Sequence, residues 1–249
     1  MRIFLSVCLL VLSLVCNNRC CAEEKTLTGL QILEKVDQVA NQPKDQSLKM
    51  RLILIDSKGR EETREFNMLQ KGSNKRMGRF LAPADQKGIG FLALPDNITY
   101  LYLPAFKKTR RIASHIKNTK FAGTDFTYED LEAGNFSKKW LPELLNSDSE
   151  FFLIELKPKS GTETDYTKVV IRVKADNFFP IKIEYYDRQN KQVKVMTRDQ
   201  IKKIDGYWVA GETLMEDLKT GHKTKMILIE AQFDTGLTDE IFTERYLGR

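Results

Sequence analysis

The feature that most constrains this chain is a period of two in its apolar residues, repeated from Ser47 almost to the C-terminus. The segments SLKMRLILID (47–56) and EETREFNMLQ (61–70) flank a Ser57-Lys58-Gly59-Arg60 turn, and IGFLALP (89–95) and ITYLYLP (98–104) flank Asp96-Asn97. The pattern resumes after residue 148 with SEFFLIELKP, YTKVVIRVK, PIKIEYYD, KQVKVMTRDQIKKI, YWVAGETLMED and KTKMILIEAQF. Turn signals separate them: Lys159-Ser160-Gly161, Asp176-Asn177, Arg188-Gln189-Asn190, Asp205-Gly206 and Thr220-Gly221-His222. Successive side chains of a strand point to opposite faces, so this alternation specifies half-buried antiparallel strands. Roughly ten to twelve of them at regular spacing predict a barrel or sandwich, not a parallel α/β sheet. The expected class is mainly β and antiparallel, with a single curved sheet as its simplest form.

The alternation also assigns faces. Val169, Ile171 and Val173 oppose Lys168, Arg172 and Lys174; Ile181, Ile183 and Tyr185 oppose Lys182 and Glu184; Val193 and Val195 oppose Gln192 and Lys194. These eight apolar residues are the expected inner face. Such a sheet hides that face by packing it solid or by enclosing an apolar cavity with a helix over the mouth. A helix is available upstream. Thr28-Gly29-Leu30-Gln31 reads as a capping box, and Leu27 and Ile32 sit where a hydrophobic staple closes. Leu30, Leu33, Val36 and Val39 then recur every third residue until Asn41-Gln42-Pro43, predicting an amphipathic covering helix over 28–41.

The first 22 residues read as an export leader. Arg2 precedes an apolar run, Ile3–Val15, too short for a comfortable membrane span, and Cys20-Cys21-Ala22 offers small residues for cleavage before Glu23. The rival reading is lipidation at Cys16, with Val15 where a small residue is usual. All four cysteines, 8, 16, 20 and 21, lie in this stretch, so residues 23–249 have no disulfide framework and rely on an ordinary core. Removal of Arg2 and Arg19 reduces an already mild net charge of +6. No basic block of the kind that binds nucleic acid is present.

Region 114–148 interrupts the strand rhythm and contains GTDFTYEDL (123–131). Its Asp125 and Asp130 resemble a paired-carboxylate site only superficially: His115 and His222 stand in turn or loop contexts, and no metal-ligand spacing, nucleophile elbow or phosphate loop is present. The candidate roles are instead structural. Gly123 permits a sharp turn, Asp125 caps a short helix over 127–132, and Phe126 and Tyr128 pin the segment at the barrel mouth as a plug or gate together with Asp130. The basic run Lys107, Lys108, Arg110, Arg111 reads as a solvated loop, as the partner of the 125–130 carboxylates, or as a patch for anionic lipid or a membrane partner.

Several segments, in order, resemble one family. FLAPADQKGIGFLAL, YLYLPAFKKTRRI, GTDFTYEDL, YTKVVIRV, DGYWVAGETLMEDLKTGHKT and FTERYLGR are similar to the exported outer-membrane lipoprotein-sorting proteins, relatives of the periplasmic lipoprotein carrier LolA. The resemblance implies an incompletely closed barrel with helices over its open side and a cavity for acyl chains. It implies a periplasmic carrier of lipid or acylated lipoprotein, without catalysis or cofactor, working between an inner-membrane transporter and an outer-membrane acceptor. Two rival readings are a non-transporting scaffold with a filled barrel and a lipid-modifying enzyme using Asp125, Asp130 or His115.

Overall fold

The computed structural model describes residues 27–132 and 134–249; the leader, its cleavage site and Cys16 lie outside them. A helix, α1 (Gly29–Ala40), opens the described chain. Six strands follow: β1 (Asp45–Ile55), β2 (Glu61–Lys71), β3 (Lys75–Ala82), β4 (Gly90–Leu94), β5 (Ile98–Leu103) and β6 (Lys108–Ile112). A connection carries two single-turn helices, α2 (Tyr128–Leu131) and α3 (Phe136–Lys139). Seven more strands complete the sheet: β7 (Trp140–Ser147), β8 (Phe151–Pro158), β9 (Lys168–Lys174), β10 (Pro180–Tyr186), β11 (Gln192–Ile204), β12 (Tyr207–Asp217) and β13 (Lys223–Phe233). The chain closes with a 3-10 turn (Asp239–Phe242) and α4 (Glu244–Leu247).

All thirteen strands form one antiparallel sheet in the order β6-β5-β4-β3-β2-β1-β13-β12-β11-β10-β9-β8-β7. Each half is a meander of hairpins, and β1 and β13 join the halves at the centre. The sheet is mainly β architecture left open, with β6 and β7 as its edges. Three strands exceed the sequence expectation. β3 mixes Arg and Gly into its pattern; β6 contains most of the basic run; β7 includes Pro142, which an edge strand tolerates because its nitrogen is not needed for pairing.

The basic run is therefore an edge strand and not a loop, apart from Lys107, which caps the preceding 3-10 turn with φ +47°. Lysine and arginine along an exposed edge also discourage pairing with another sheet.

Bulges curve the sheet and shift its faces. Between β9 and β10, Pro180 pairs with Val173 and Lys182 with Arg172, leaving Ile181 as the extra residue. Between β10 and β11, Tyr185 pairs with Lys194 and Tyr186 with Gln192, leaving out Val193. Val195 stands between Glu184 and Glu216, on the outer face. Ile181, Val193 and Val195 are thus not part of the buried inner face expected from alternation; its β11 members are Lys194 and Met196.

The concave face holds two apolar clusters. One joins Ile32, Leu33 and Val36 of α1 to Ile154, Leu156, Val169, Ile171, Val173, Ile183, Tyr185 and Met215. The other centres on Phe66, Phe80, Phe91 and Phe121, whose rings stack or meet edge to face at centroid distances of 5.0–6.3 Å. Fully burying each such side chain stabilises the fold by about 1.5–3 kcal/mol. On the convex side, Phe242 and Leu247 cover Met77 and Leu92, and Arg79 donates to the carbonyls of Tyr246 and Leu247 at 2.8 and 2.7 Å.

Gly78 shows how closely the phenylalanine cluster is fitted. A Cβ there would lie 2.3 Å from Cζ of Phe66 and 2.5 Å from Cε1 of Phe91. Gly78→Ala is expected to lower stability by about 1–3 kcal/mol through overpacking, read as a lower urea midpoint at unchanged slope.

Candidate functional site

Because β6 and β7 are opposite edges, the connection between them runs from one cluster to the other. Phe121 and Tyr128 enter the phenylalanine cluster, while Phe126 enters the α1 cluster. The two aromatics of GTDFTYEDL are therefore buried in different clusters, deeper than a position at the rim. Gly123 adopts φ +77° after Ala122 at +46°, the turn that its lack of a side chain permits. The cap of α2 is Thr127, which accepts from the Asp130 amide while Asp130 accepts from the Thr127 amide; it is not Asp125.

Asp125 is fully buried and anchors the connection to the β12–β13 hairpin. Its carboxylate accepts from Lys120 Nζ at 2.7 Å and Thr224 Oγ1 at 2.8 Å, and meets His222 Nδ1 at 2.6 Å. Its amide donates to Thr224 Oγ1 at 2.9 Å, and Lys120 also pairs with Asp217 at 2.7 Å. The turn itself is held by buried Arg64, which donates to the Ala122 carbonyl at 2.6 Å. Asp130 pairs with buried Lys194, and Glu132 with Lys117 and Lys139. The cations that neutralise these acids come from the connection and the inner sheet, not from Arg110 and Arg111 on the edge strand.

Helix α1 lies beside this segment. Its capping box forms, with the Gln31 amide donating to Thr28 Oγ1 at 3.3 Å and the Thr28 amide donating to Gln31 Oε1 at 2.9 Å. Ile32, Leu33 and Val36 are completely buried, whereas Leu30 is 47 % exposed and faces away from the core. The strict i+3 reading drifted off the stripe, because a helix turns every 3.6 residues and its apolar face follows mixed steps of three and four. Asp37 ties the helix down: its carboxylate accepts from the amides of Phe136 and Ser137 at 2.7 and 2.9 Å, capping α3. Burial holds the Asp37 carboxyl above its ordinary range, against the lowering effect of these bonds.

Between α1, the connection and the sheet lie two adjoining cavities of about 190 and 250 Å³. They share Ala40, Arg76, Asp130, Pro180, Met196 and Arg198 in their walls. Together they reach the size of ordinary ligand pockets, on the order of 300–1,000 Å³. The larger one is mostly apolar, with Val39 of α1, Phe126 and Leu131 of the connection, and Met50, Met68, Met196 and Met226. Methionine is unbranched and polarizable, so such a wall adapts to an irregular guest. Val169, Ile183 and Tyr185 line the smaller cavity with Val36. Ile171 and Val173 are buried in the adjacent cluster.

Alternation did not reveal the polar part of this wall. Arg76 and Arg198 line both cavities and Lys194 pairs with Asp130 of their wall; the available signal was their spacing of two from Gly78 and Met196. Asp130 is a wall residue of both cavities, whereas Asp125 faces the hairpin. His115 lies on a separate surface hollow with Asn118 and Asp165. Among the described residues, no group of three or more His, Cys, Asp or Glu is arranged to hold a metal, and no helix is long and apolar enough to cross a membrane.

Two predictions arise here. Asp125→Ala leaves Lys120, Thr224 and His222 without their shared acceptor and is expected to cost about 3–5 kcal/mol, seen as a lower urea midpoint and faster proteolysis within 113–135. The second concerns Glu129 in the smaller cavity, whose carboxyl is pushed up to about 7, mainly by burial. A raised carboxyl pKa gives a contribution present at low pH, below about 4.3, and lost as pH rises through about 7. Glu129→Gln should therefore gain stability relative to the parent as pH rises from about 5 to 8, measured by paired urea titrations.

Comparison with known proteins gives a consistent result. A family model described as "Uncharacterized protein" matches residues 72–249. No curated protein matches the chain. A structure described as an outer membrane lipoprotein-sorting protein domain from Vibrio parahaemolyticus is 28% identical, with TM-score 0.80, over 89% of this chain and 98% of that one. A DUF1329 family protein from Desulfovibrio piger is 26% identical, with TM-score 0.83, over 88% and 97%. A LolA superfamily protein from Nitrosomonas europaea, 23% identical with TM-score 0.74 over 88% and 99%, shares the fold. The chain belongs to the family that this model describes, and its architecture is that of the LolA-like, outer-membrane lipoprotein-sorting group.

Proposed function

We propose that this protein is a carrier or chaperone of the cell envelope that shields the acyl chains of a lipid or lipoprotein on the way to the outer membrane. The observation that carries this reading is the largely apolar, methionine-rich cavity lined by α1, the connection and the sheet. Leaving an acyl chain in water costs about 0.8 kcal/mol per methylene, and a methionine-lined wall offsets that cost without requiring one fixed guest shape. The similarity to a lipoprotein-sorting domain supports the same class of cargo.

In this reading residues 1–22 direct export and are removed near Ala22, or lipidation at Cys16 anchors the chain, and residues 23–249 form the carrier. Helix α1 acts as a lid through Leu33, Val36 and Val39, and the 123–131 segment as a gate whose release requires parting Asp125 and Asp130 from their cations. The edge strand, with Lys108, Arg110 and Arg111 beside Lys107 and the exposed Phe106, provides a contact surface for an anionic head group, an inner-membrane donor or an outer-membrane acceptor. The chemistry is binding and release, with no covalent step.

The test is to purify the chain from its native envelope, measure co-purifying lipid by native mass spectrometry, and titrate a fluorescent acyl probe. The parent should carry lipid or bind the probe. Ala210→Trp and Leu48→Trp, each filling the larger cavity, should weaken probe binding by about tenfold or more with the thermal midpoint retained. A parent without lipid and without probe affinity overturns the reading in favour of a filled scaffold.

A further inference from the structure

Arg76 and Arg198 reach the cavities from opposite halves of the sheet, β3 and β11, and each contributes to both walls. Arg76 donates through Nε and Nη2 to Gln70 Oε1 at 3.0 and 2.6 Å, and through Nη1 to the Glu132 carbonyl at 3.1 Å. Arg198 donates through Nη1 to the Pro180 carbonyl at 3.1 Å and lies 5.8 Å from the Phe179 ring centroid. Every acceptor here is neutral. Among the described residues neither guanidinium makes an ion pair, whereas the buried cations Arg64, Lys117 and Lys194 each have a carboxylate.

The acids in the cavity walls do not redress this. Asp130 is taken by Lys194, Glu132 is shared by Lys117 and Lys139, and burial pushes the Glu129 carboxyl up to about 7, so that it carries only part of a charge near neutral pH. Burial also draws the Arg76 guanidinium down to about 10, with the Arg198 charge contributing, and both remain cationic at neutral pH. Two like charges beside a mostly apolar wall are costly unless a counter-charge joins them. A guanidinium fork matches carboxylate and phosphate oxygens, and such charge-assisted bonds are the stronger kind.

We propose that Arg76 and Arg198 form a head-group site, so that the cavity selects an amphiphile with a single anionic head, carboxylate or phosphate, and an unbranched apolar chain. The chain would lie along the apolar wall that Met50, Met68, Met226 and Leu228 contribute to the larger cavity. This rests on the carrier reading and narrows its cargo class.

The full chain is titrated at neutral pH, below micelle formation, with dodecanoate, dodecyl phosphate, dodecanol, dodecyltrimethylammonium and inorganic phosphate. Either anionic amphiphile should bind at least about tenfold more tightly than the alcohol or the cation, as expected for one or two charge-assisted bonds. Tighter binding of dodecanoate identifies a carboxylate head, and tighter binding of dodecyl phosphate a phosphate head. Arg198→Met, and separately Arg76→Gln, should erase that preference, read in each variant as an anion-to-dodecanol affinity ratio that falls to within about twofold of one. The Arg198 variant decides the outcome if the Arg76 variant fails to fold. Equal binding of dodecanol and the anions overturns the head-group site and leaves the carrier reading standing. Binding of inorganic phosphate as tightly as dodecyl phosphate overturns it in favour of a free-anion site. Absence of all binding overturns both.

Discussion

The order of strands imposes the constraint on which the rest of this molecule depends. β6 and β7 follow one another in the chain but form opposite edges of a thirteen-stranded open sheet. The connection between them links the two inner clusters, and a backbone placed there needs partners for its polar groups. Phe121, Phe126 and Tyr128 supply the apolar contacts. Thr224 of the far hairpin, which accepts from the Asp125 amide, and Arg64 of β2, which donates to the Ala122 carbonyl, supply the polar ones. The segment contributes side chains to both clusters, and the cavities adjoin it through Phe126, Asp130 and Leu131.

This arrangement makes the inner face chemically mixed. An acidic connection laid on a β-sheet calls for cations beneath it, and Lys194 meets Asp130 at an inward position. Buried ion pairs of this kind contribute little net stability, because desolvation offsets most of the attraction. Their removal one partner at a time is nevertheless costly, so they hold the segment in one placement. Helix α1 is secured in a parallel way, with Asp37 capping α3 across the gap. The covering elements are thus held by a few identifiable polar contacts over a largely apolar wall.

Much of the fold was legible because period two and period 3.6 are local properties. Thr28 and Gln31 form their capping box where the spacing places it, and Ile171, Val173 and Ile183 are buried where alternation places them. Bulges broke the reading at Ile181 and Val193, since an extra residue leaves no mark in hydropathy. Val195 failed for another reason: its neighbour Lys194 is inward because a distant carboxylate neutralises it. His222 reads as an ordinary hairpin residue until Asp125, 97 positions away, is brought to it.

By itself the sequence determined an antiparallel β protein with a capped amphipathic helix, a one-sided strand pattern and an aromatic, acidic interruption. Hydrophobic periodicity and short-range capping are sufficient for those. Only the tertiary structure decided that the sheet stays open, that the interruption bridges its inner clusters, and that Arg76 and Arg198 converge on one cavity. These outcomes depend on strand order and register, and on which charges find partners far along the chain, and none of those is encoded within a single local window.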